Sequence, residues 1–414
     1  MGKTTPATQG ATKQESQASD ITTTTTKNYT TQFRILVGSY EHNLLCLSLM
    51  LTEAQPVFQP VFHFEAHSLS IKSIDVAKRY LVTGSNDEHI RIYDLQKRKE
   101  LGTLLSHQGT VTTLRFSDEH SASEIQESSE KSGKWLLSGS EDGKIIIWRT
   151  KDWEIFGTLK GHQDRINDLD IHPTGRVAIS VSKDNTIRLW NLMTCKKAAI
   201  LKVKGRDSLG QECQFVRWTK SGNHFIVGLM NKIFVYEAKD AKIHKQFGFK
   251  TTLMCMDVVT FEGAEWLVTG HSNGVLEFYD SKILVETEEE PRPVFSLRGH
   301  TNRIKDFSLY KVGTVPFLVS VSSDGKIVVW DLSESVRDQI AVYDTGERLN
   351  CVAVCPEAIE KAESMKRRYD PNEINDYSES EYETDGEEMR KVFNKASKKK
   401  RSKSSKSKVS ITRE

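Results

Sequence analysis

From Phe33 to Cys355 the chain is a succession of short apolar runs, each bounded by small polar residues and a turn containing Asp or Asn. Runs such as Lys326-Ile-Val-Val-Trp330 and Lys144-Ile-Ile-Ile-Trp148 are β-branched and too short for helices, so they predict strands. The same pattern is written several times. Ser320-Val-Ser-Ser-Asp324-Gly-Lys-Ile-Val-Val-Trp330-Asp331 repeats Ser180-Val-Ser-Lys-Asp184-Asn-Thr-Ile-Arg-Leu-Trp190-Asn191. Ser138-Gly-Ser-Glu-Asp142-Gly-Lys-Ile-Ile-Ile-Trp148-Arg149 is a third copy and Thr83-Gly-Ser-Asn-Asp87-Glu-His-Ile-Arg-Ile-Tyr93-Asp94 a fourth. In each, a strand ends in Ser or Thr, an Asp turn follows, and a second strand closes on an aromatic residue. A histidine lies upstream: His67, His107, His162 and His300. A four-strand unit recurring every 40–45 residues or so is the mark of a β-propeller blade. Residues 33–355 divide into about 46 per blade for seven blades.

The ends of this region complement each other. Residues 33–49 align with the middle strands of a blade, and Val57 to Phe64 supply an outer strand. The missing first strand is expected from Leu349-Asn-Cys-Val-Ala-Val354, which would close the ring and remove both sheet edges. The other blades fall at 70–104, 110–160, 166–203, 213–248, 252–297 and 304–343. The fourth keeps Trp218 and Tyr236 without a Gly-His or a turn Asp. The fifth keeps Thr269, Asn273 and Tyr279 but reads as lacking its histidine. Residues 117–133 and 281–293 read as surface insertions.

The expected organisation is therefore all-β. It has a disordered, Thr-rich arm over 1–30, a seven-bladed propeller over 31–356, and a disordered, charged tail over 357–414. Residues 373–388 carry eight acidic side chains and no Lys or Arg, whereas 390–408 carry ten Lys or Arg and no acid. The net charge of +2 does not by itself mark a nucleic-acid binder. The six cysteines form no CxxC pair and several sit in apolar strands, which fits reduced thiols in the cytosol or nucleus and no metal site. Neither a signal peptide nor an apolar run of membrane-spanning length is apparent.

His162, Ser180 and Asp184 have the composition of a hydrolase triad. The trio recurs as His107/Ser138/Asp142 and His300/Ser320/Asp324, accompanied by Trp190, Trp148 and Trp330 respectively. Catalytic triads do not come in sets. The recurring reading is a buried chain from indole N–H to hydroxyl to imidazole to carboxylate, since buried polar groups need partners. Gly139-Ser-Glu-Asp-Gly-Lys144 resembles a phosphate loop but is one residue short and joins two strands. No catalytic, cofactor-binding or metal-binding residue is expected. Two segments are more elaborate than folding requires: Gly161-His-Gln-Asp-Arg165-Ile-Asn-Asp168 and Gly299-His-Thr-Asn-Arg303-Ile-Lys305-Asp306. Their charged residues, Arg165, Asp168, Arg303, Lys305 and Asp306, fall at the start of a first strand, where propellers meet partners; an ion pair within the blade is the competing reading. Lys398, Lys399, Lys400 and Arg401 form a basic cluster of nuclear-import type.

The chain resembles the WD-repeat family of PAK-kinase-interacting proteins and their yeast maintenance-of-killer relatives. Val37-Gly-Ser-Tyr-Glu-His-Asn-Leu-Leu45, Leu81 through Asp94, Ile171-His-Pro-Thr-Gly-Arg-Val-Ala-Ile-Ser180 and Asn302-Arg-Ile-Lys-Asp306 carry the likeness. The resemblance implies a nucleolar, non-enzymatic factor for assembly of the large (60S) ribosomal subunit, docking pre-ribosomal proteins. In some members it implies negative regulation of a PAK-type kinase. A monomer within a larger assembly, with weak rRNA contact through the basic tail, completes the expectation.

Overall fold

The computed structural model describes residues 31–52, 55–118, 131–203, 208–286 and 291–357. The described chain is almost entirely strand, folded as seven four-stranded antiparallel sheets, a seven-bladed β-propeller. In chain order the strands are β1 (Thr31–Ser39), β2 (Asn43–Leu51) and β3 (Pro56–Glu65). Blade 1 holds β4 (Ile71–Ala77), β5 (Tyr80–Ser85), β6 (Ile90–Asp94) and β7 (Lys99–Leu104). Blade 2 holds β8 (Val111–Phe116), β9 (Trp135–Ser140), β10 (Lys144–Arg149) and β11 (Glu154–Lys160). Blade 3 holds β12 (Ile166–Ile171), β13 (Val177–Ser182), β14 (Thr186–Asn191) and β15 (Lys196–Lys202). Blade 4 holds β16 (Phe215–Trp218), β17 (His224–Gly228), β18 (Lys232–Glu237) and β19 (Ile243–Gly248). Blade 5 holds β20 (Leu253–Phe261), β21 (Ala264–His271), β22 (Val275–Asp280) and β23 (Phe295–Arg298). Blade 6 holds β24 (Ile304–Val312), β25 (Val315–Ser322), β26 (Lys326–Asp331) and β27 (Asp338–Asp344). The seventh sheet runs β28 (Leu349–Pro356), β1, β2, β3, so the last described strand lies beside the first described one.

The described residues form two compact units, one of 31–72 with 203–354 and the other of 73–202 with 355–357. In the first, the core is built by period-two alternation. Phe33, Ile35 and Val37 on β1 pack with Val319, Val321, Ile327 and Val329 of blade 6. Phe33 also meets the rings of Tyr310 and Phe317 at 5.2 and 5.7 Å. Burying one such side chain completely stabilises the fold by roughly 1.5–3 kcal/mol. In the second unit Ile90, Ile92, Val111, Leu136, Ile146 and Trp148 form an equivalent layer between sheets.

The turn between the second and third strands of a blade has a common shape. The residue after the Asp or Asn takes a positive φ: 71° at Gly143, 83° at Gly325, 78° at Gly274, 57° at Asn185 and 70° at Glu88. Glycine and asparagine adopt this conformation at little cost, whereas Glu88 is strained. The aspartate fixes the turn by accepting a backbone N–H two residues on, from Lys144, Thr186, Lys326 and His89 at 2.9–3.0 Å.

One feature differs from the sequence expectation. The insertion after blade 5 begins as a short helix, Ser281–Glu286, with Leu284 buried. The insertion in blade 2 is tied at its base, where Gly133 and Ser132 both bond the Ser117 carbonyl and Lys131 meets Asp75 at 2.5 Å. The arm over 1–30 and the tail beyond Glu357, including Lys398 to Arg401, lie outside the described residues.

Candidate functional site

Three blades carry the same buried chain of hydrogen bonds. In blade 3 the Trp190 indole donates to Ser180 Oγ at 2.8 Å, Ser180 Oγ lies 2.8 Å from His162 Nε2, and His162 Nδ1 lies 3.1 Å from Asp184 Oδ2. Blade 2 repeats it with Trp148, Ser138, His107 and Asp142 at 2.9, 2.8 and 3.3 Å. Blade 6 repeats it with Trp330, Ser320, His300 and Asp324 at 2.9, 2.9 and 3.3 Å. A carboxylate only accepts, so Nδ1 donates to the aspartate while Nε2 faces the serine hydroxyl. Burial holds His162 and His300 below the ordinary histidine value, outweighing the adjacent aspartates. For Asp184, burial alone would raise the carboxyl, but bonds from Thr186, the Gln163 N–H and His162 lower it to about 2.

This arrangement has the residues of a hydrolase without its access. Ser138, Ser180 and Ser320 are 0% exposed. An indole N–H occupies each hydroxyl oxygen, and the imidazole is clamped to the turn. The chains join the loop before each blade to its second and third strands.

Blade 5 corrects the sequence reading. Its histidine is present but comes from β21, two residues after Thr269. His271 is fully buried, with Nε2 3.0 Å from Thr269 Oγ1 and 3.3 Å from Glu277, and Nδ1 3.0 Å from Thr251 Oγ1. Tyr279 donates to the same Glu277 at 2.6 Å, in place of a tryptophan. The signal was the His in Thr269-Gly-His271, displaced from the usual upstream position.

The charged rim residues separate into two groups. Asp168 and Asp306 occupy matching registers, opposite Val181 and Val321, each just after a β-bulge. Asp168 is 5% exposed; it accepts from the Leu169 N–H at 2.9 Å and the Thr113 hydroxyl at 3.3 Å. Asp306 accepts from Phe307 N–H at 2.9 Å and from Val352 N–H on β28 at 3.0 Å. Both therefore join neighbouring first strands. This places Asp168 inside the fold rather than on a docking surface. Asp75 and Asp257 do similar work, accepting from Phe116 N–H at 2.7 Å and from Arg217 at 3.1 Å, and neither stood out in the sequence. Arg165 is half-buried, and its carbonyl accepts from Lys183 N–H. Arg303 is exposed, with Nε 3.3 Å from Ser323 Oγ. Lys305 is half-buried, and burial with Arg303 and Lys72 nearby lowers its pKa.

Comparison with known proteins follows the same lines. The family model described as "WD domain, G-beta repeat" matches residues 58–94, 128–149, 153–191 and 291–331. The chain is 52% identical over 409 residues to Protein MAK11 of Saccharomyces cerevisiae, covering 92% of this chain and 97% of the yeast protein. The chain belongs to the WD-repeat family of MAK11 and the p21-activated-kinase-interacting proteins. Within that family it is 32% identical to human p21-activated protein kinase-interacting protein 1 over 313 residues, covering 75% of this chain and 71% of the human one. Shk1 kinase-binding protein 15 of Schizosaccharomyces pombe is 23% identical over 368 residues, 84% of this chain and 95% of that protein. Blade 4 and most of blade 5 fall outside the repeat matches. Both blades depart from the Trp-Ser-His-Asp chain.

Proposed function

We propose that this chain is a non-catalytic scaffold for assembly of the large ribosomal subunit, docking pre-ribosomal proteins on the face that carries Arg303 and Lys305. The observation that carries this reading is its likeness to MAK11 along nearly the whole of both chains. The resemblance implies large-subunit assembly in the nucleolus. Supporting it physically, the recurring Ser-His-Asp sets are sealed structural braces, while cationic side chains remain at the rim. The basic cluster Lys398 to Arg401 suits entry into an RNA-rich nuclear compartment. The test is depletion in the organism's own cells followed by sedimentation of ribosomal subunits. A fall of the large subunit relative to the small one is expected, with the protein co-sedimenting with large-subunit precursors.

A second reading has its own observation. Several relatives are named for binding p21-activated or Shk1 kinases. On that reading the propeller holds and restrains such a kinase. A normal subunit ratio on depletion, with a p21-activated kinase overactive, decides for the adaptor.

A further inference from the structure

A group of cations in the first unit converges on one strand. Lys305 is the extra residue of a β-bulge: Ile304 pairs with Ser322 and Asp306 with Val321, leaving Lys305 unmatched between them. The same bulge recurs at Thr112, Asn167 and Met254 in blades 2, 3 and 5, so the blade fold itself turns this position out of the regular pleat, and in blade 6 the position holds a lysine. Lys305 is the second residue of β24, Lys72 of β4 and Asn350 of β28. The Asn350 amide donates to the Ile71 carbonyl at 2.9 Å, which sets Ile71 and Lys72 against one side of β28. Val352 N–H donates to Asp306 at 3.0 Å, which sets β24 against the other side. Lys72 and Lys305 thus flank β28 at the level of Asn350, with exposed Arg303 two residues before Lys305. The like charges of Arg303 and Lys72 both act on the half-buried Lys305 ammonium.

The same side of these strands offers apolar surface. Tyr40 N–H bonds the Arg348 carbonyl at 2.7 Å, so the β1–β2 turn sits beside the entry to β28. Tyr40 is 53% exposed, and Leu69, just before β4, is 47% exposed. The acids at this edge are already engaged: Glu41 accepts from Arg348 N–H at 3.0 Å, and Glu347 holds Asn43 at 2.8 Å and His63 at 3.0 Å. A phosphodiester backbone laid across the edge would pass Glu41, Glu347 and Asp306 and be repelled. An isolated acidic side chain can enter between the two lysines, while an apolar neighbour on the same peptide covers Tyr40 or Leu69. Aromatic and Arg-rich edges of this kind are where binding energy concentrates.

We propose that Lys72, Lys305 and Arg303, arranged about Asn350, form a binding site for an acidic segment of a partner protein, with Tyr40 and Leu69 contacting its apolar residues. The proposal rests on the docking-platform reading and goes further by naming the chemistry of what docks.

The test uses the full-length chain and fluorescein-labelled peptides read by anisotropy. The probes are a twelve-residue Glu/Leu/Gly peptide, the same peptide with phosphoserine for glutamate, its Gln-for-Glu counterpart, and a twelve-nucleotide oligouridylate. The acidic peptides are expected to bind and the Gln peptide not. The phosphoserine arm separates phosphate from carboxylate recognition, and binding of either anion supports the site. Lys72→Gln with Lys305→Gln should weaken binding at least about tenfold, as expected for losing charge-assisted contacts. A variant with Lys398, Lys399, Lys400 and Arg401 all changed to Ala should bind the peptide as the parent does. If the double variant melts early, single Lys72→Gln and Arg303→Gln, both at exposed side chains, must each weaken binding.

Binding unchanged by the rim variants, or lost only in the tail variant, overturns the proposal. Oligouridylate binding at the rim in place of the peptide overturns it in favour of nucleic acid. The subunit ratio after depletion is a separate readout. A normal ratio with rim-dependent peptide binding removes the ribosome reading and leaves this site standing.

Discussion

The backbone N–H of Val352 donates to the carboxylate of Asp306 at 3.0 Å. One residue belongs to the last described strand, β28, and the other to the first strand of blade 6. The bond ties blade 6 to the sheet where the two ends of the propeller chain meet, since β28 pairs with β1. A carboxylate that also accepts from its own neighbour, Phe307, is held in one rotamer and becomes a fixed anchor for the closing strand.

Asp306→Ala is therefore expected to destabilise the propeller by about 1–3 kcal/mol, the cost of leaving buried backbone donors unsatisfied. Denaturant titration measures it. Deleting residues 349–414 should lower the thermal midpoint far more than deleting 358–414, because only the first removes β28. Equal midpoints for the two truncations would contradict the role of the closing strand.

Trp330 is 2% exposed and donates to Ser320 at 2.9 Å. Trp330→Ala should cost roughly 3–5 kcal/mol through the cavity and the lost bond. Trp330→Phe, which keeps most of the volume, should cost less while still leaving the Ser320 oxygen short of a donor. A Trp330→Ala protein melting like the parent would remove the bracing role assigned to the chain.

The pH dependence of stability follows from the same networks. Native His162 and His300 bind a proton less readily than the unfolded chain, whose value is 6.5. Unfolding therefore takes up protons as the pH drops below 6.5, and the stability present at neutral pH begins to fall there. Asp184, at about 2 against an ordinary 3.8, contributes stability above 3.8 that is lost between 3.8 and 2. Thermal midpoints measured from pH 8 to 2 should fall in two stages. Asp142 and Asp324 are also held below the ordinary carboxylate value and feed the same stage, so Asp184→Asn should reduce it in part, and an acid limb unchanged from the parent would count against the assignment.

Replacing Lys398, Lys399, Lys400 and Arg401 with Ala should move a fluorescent fusion from nucleus to cytoplasm. The charge density of the cluster matches import signals. Unchanged nuclear accumulation would reduce the cluster to a solubilising tail.

Much of this protein was legible in the sequence because a propeller is a local pattern repeated. Strand, Asp turn and aromatic lie within about a dozen residues of each other, and alternation alone assigns Val319, Val321 and their equivalents to the core. The pairing of residues 349–354 with the first strand could be inferred from a missing element at one end and a surplus one at the other. Blade 5 escaped because its histidine moved onto β21, and a motif read by spacing does not see a group that reaches the same hydroxyl from another strand. The rim escaped for a related reason. Sequence marks Asp168, Lys305 and Asp306 equally as charged residues near a first strand. The tertiary structure turns the two aspartates toward neighbouring strands and places Lys305 on a bulge opposite Lys72, more than two hundred residues away in the chain. Local periodicity determines which elements form. Which charges become braces and which stay at the surface is decided by strand-to-strand contacts that only the assembled fold brings together.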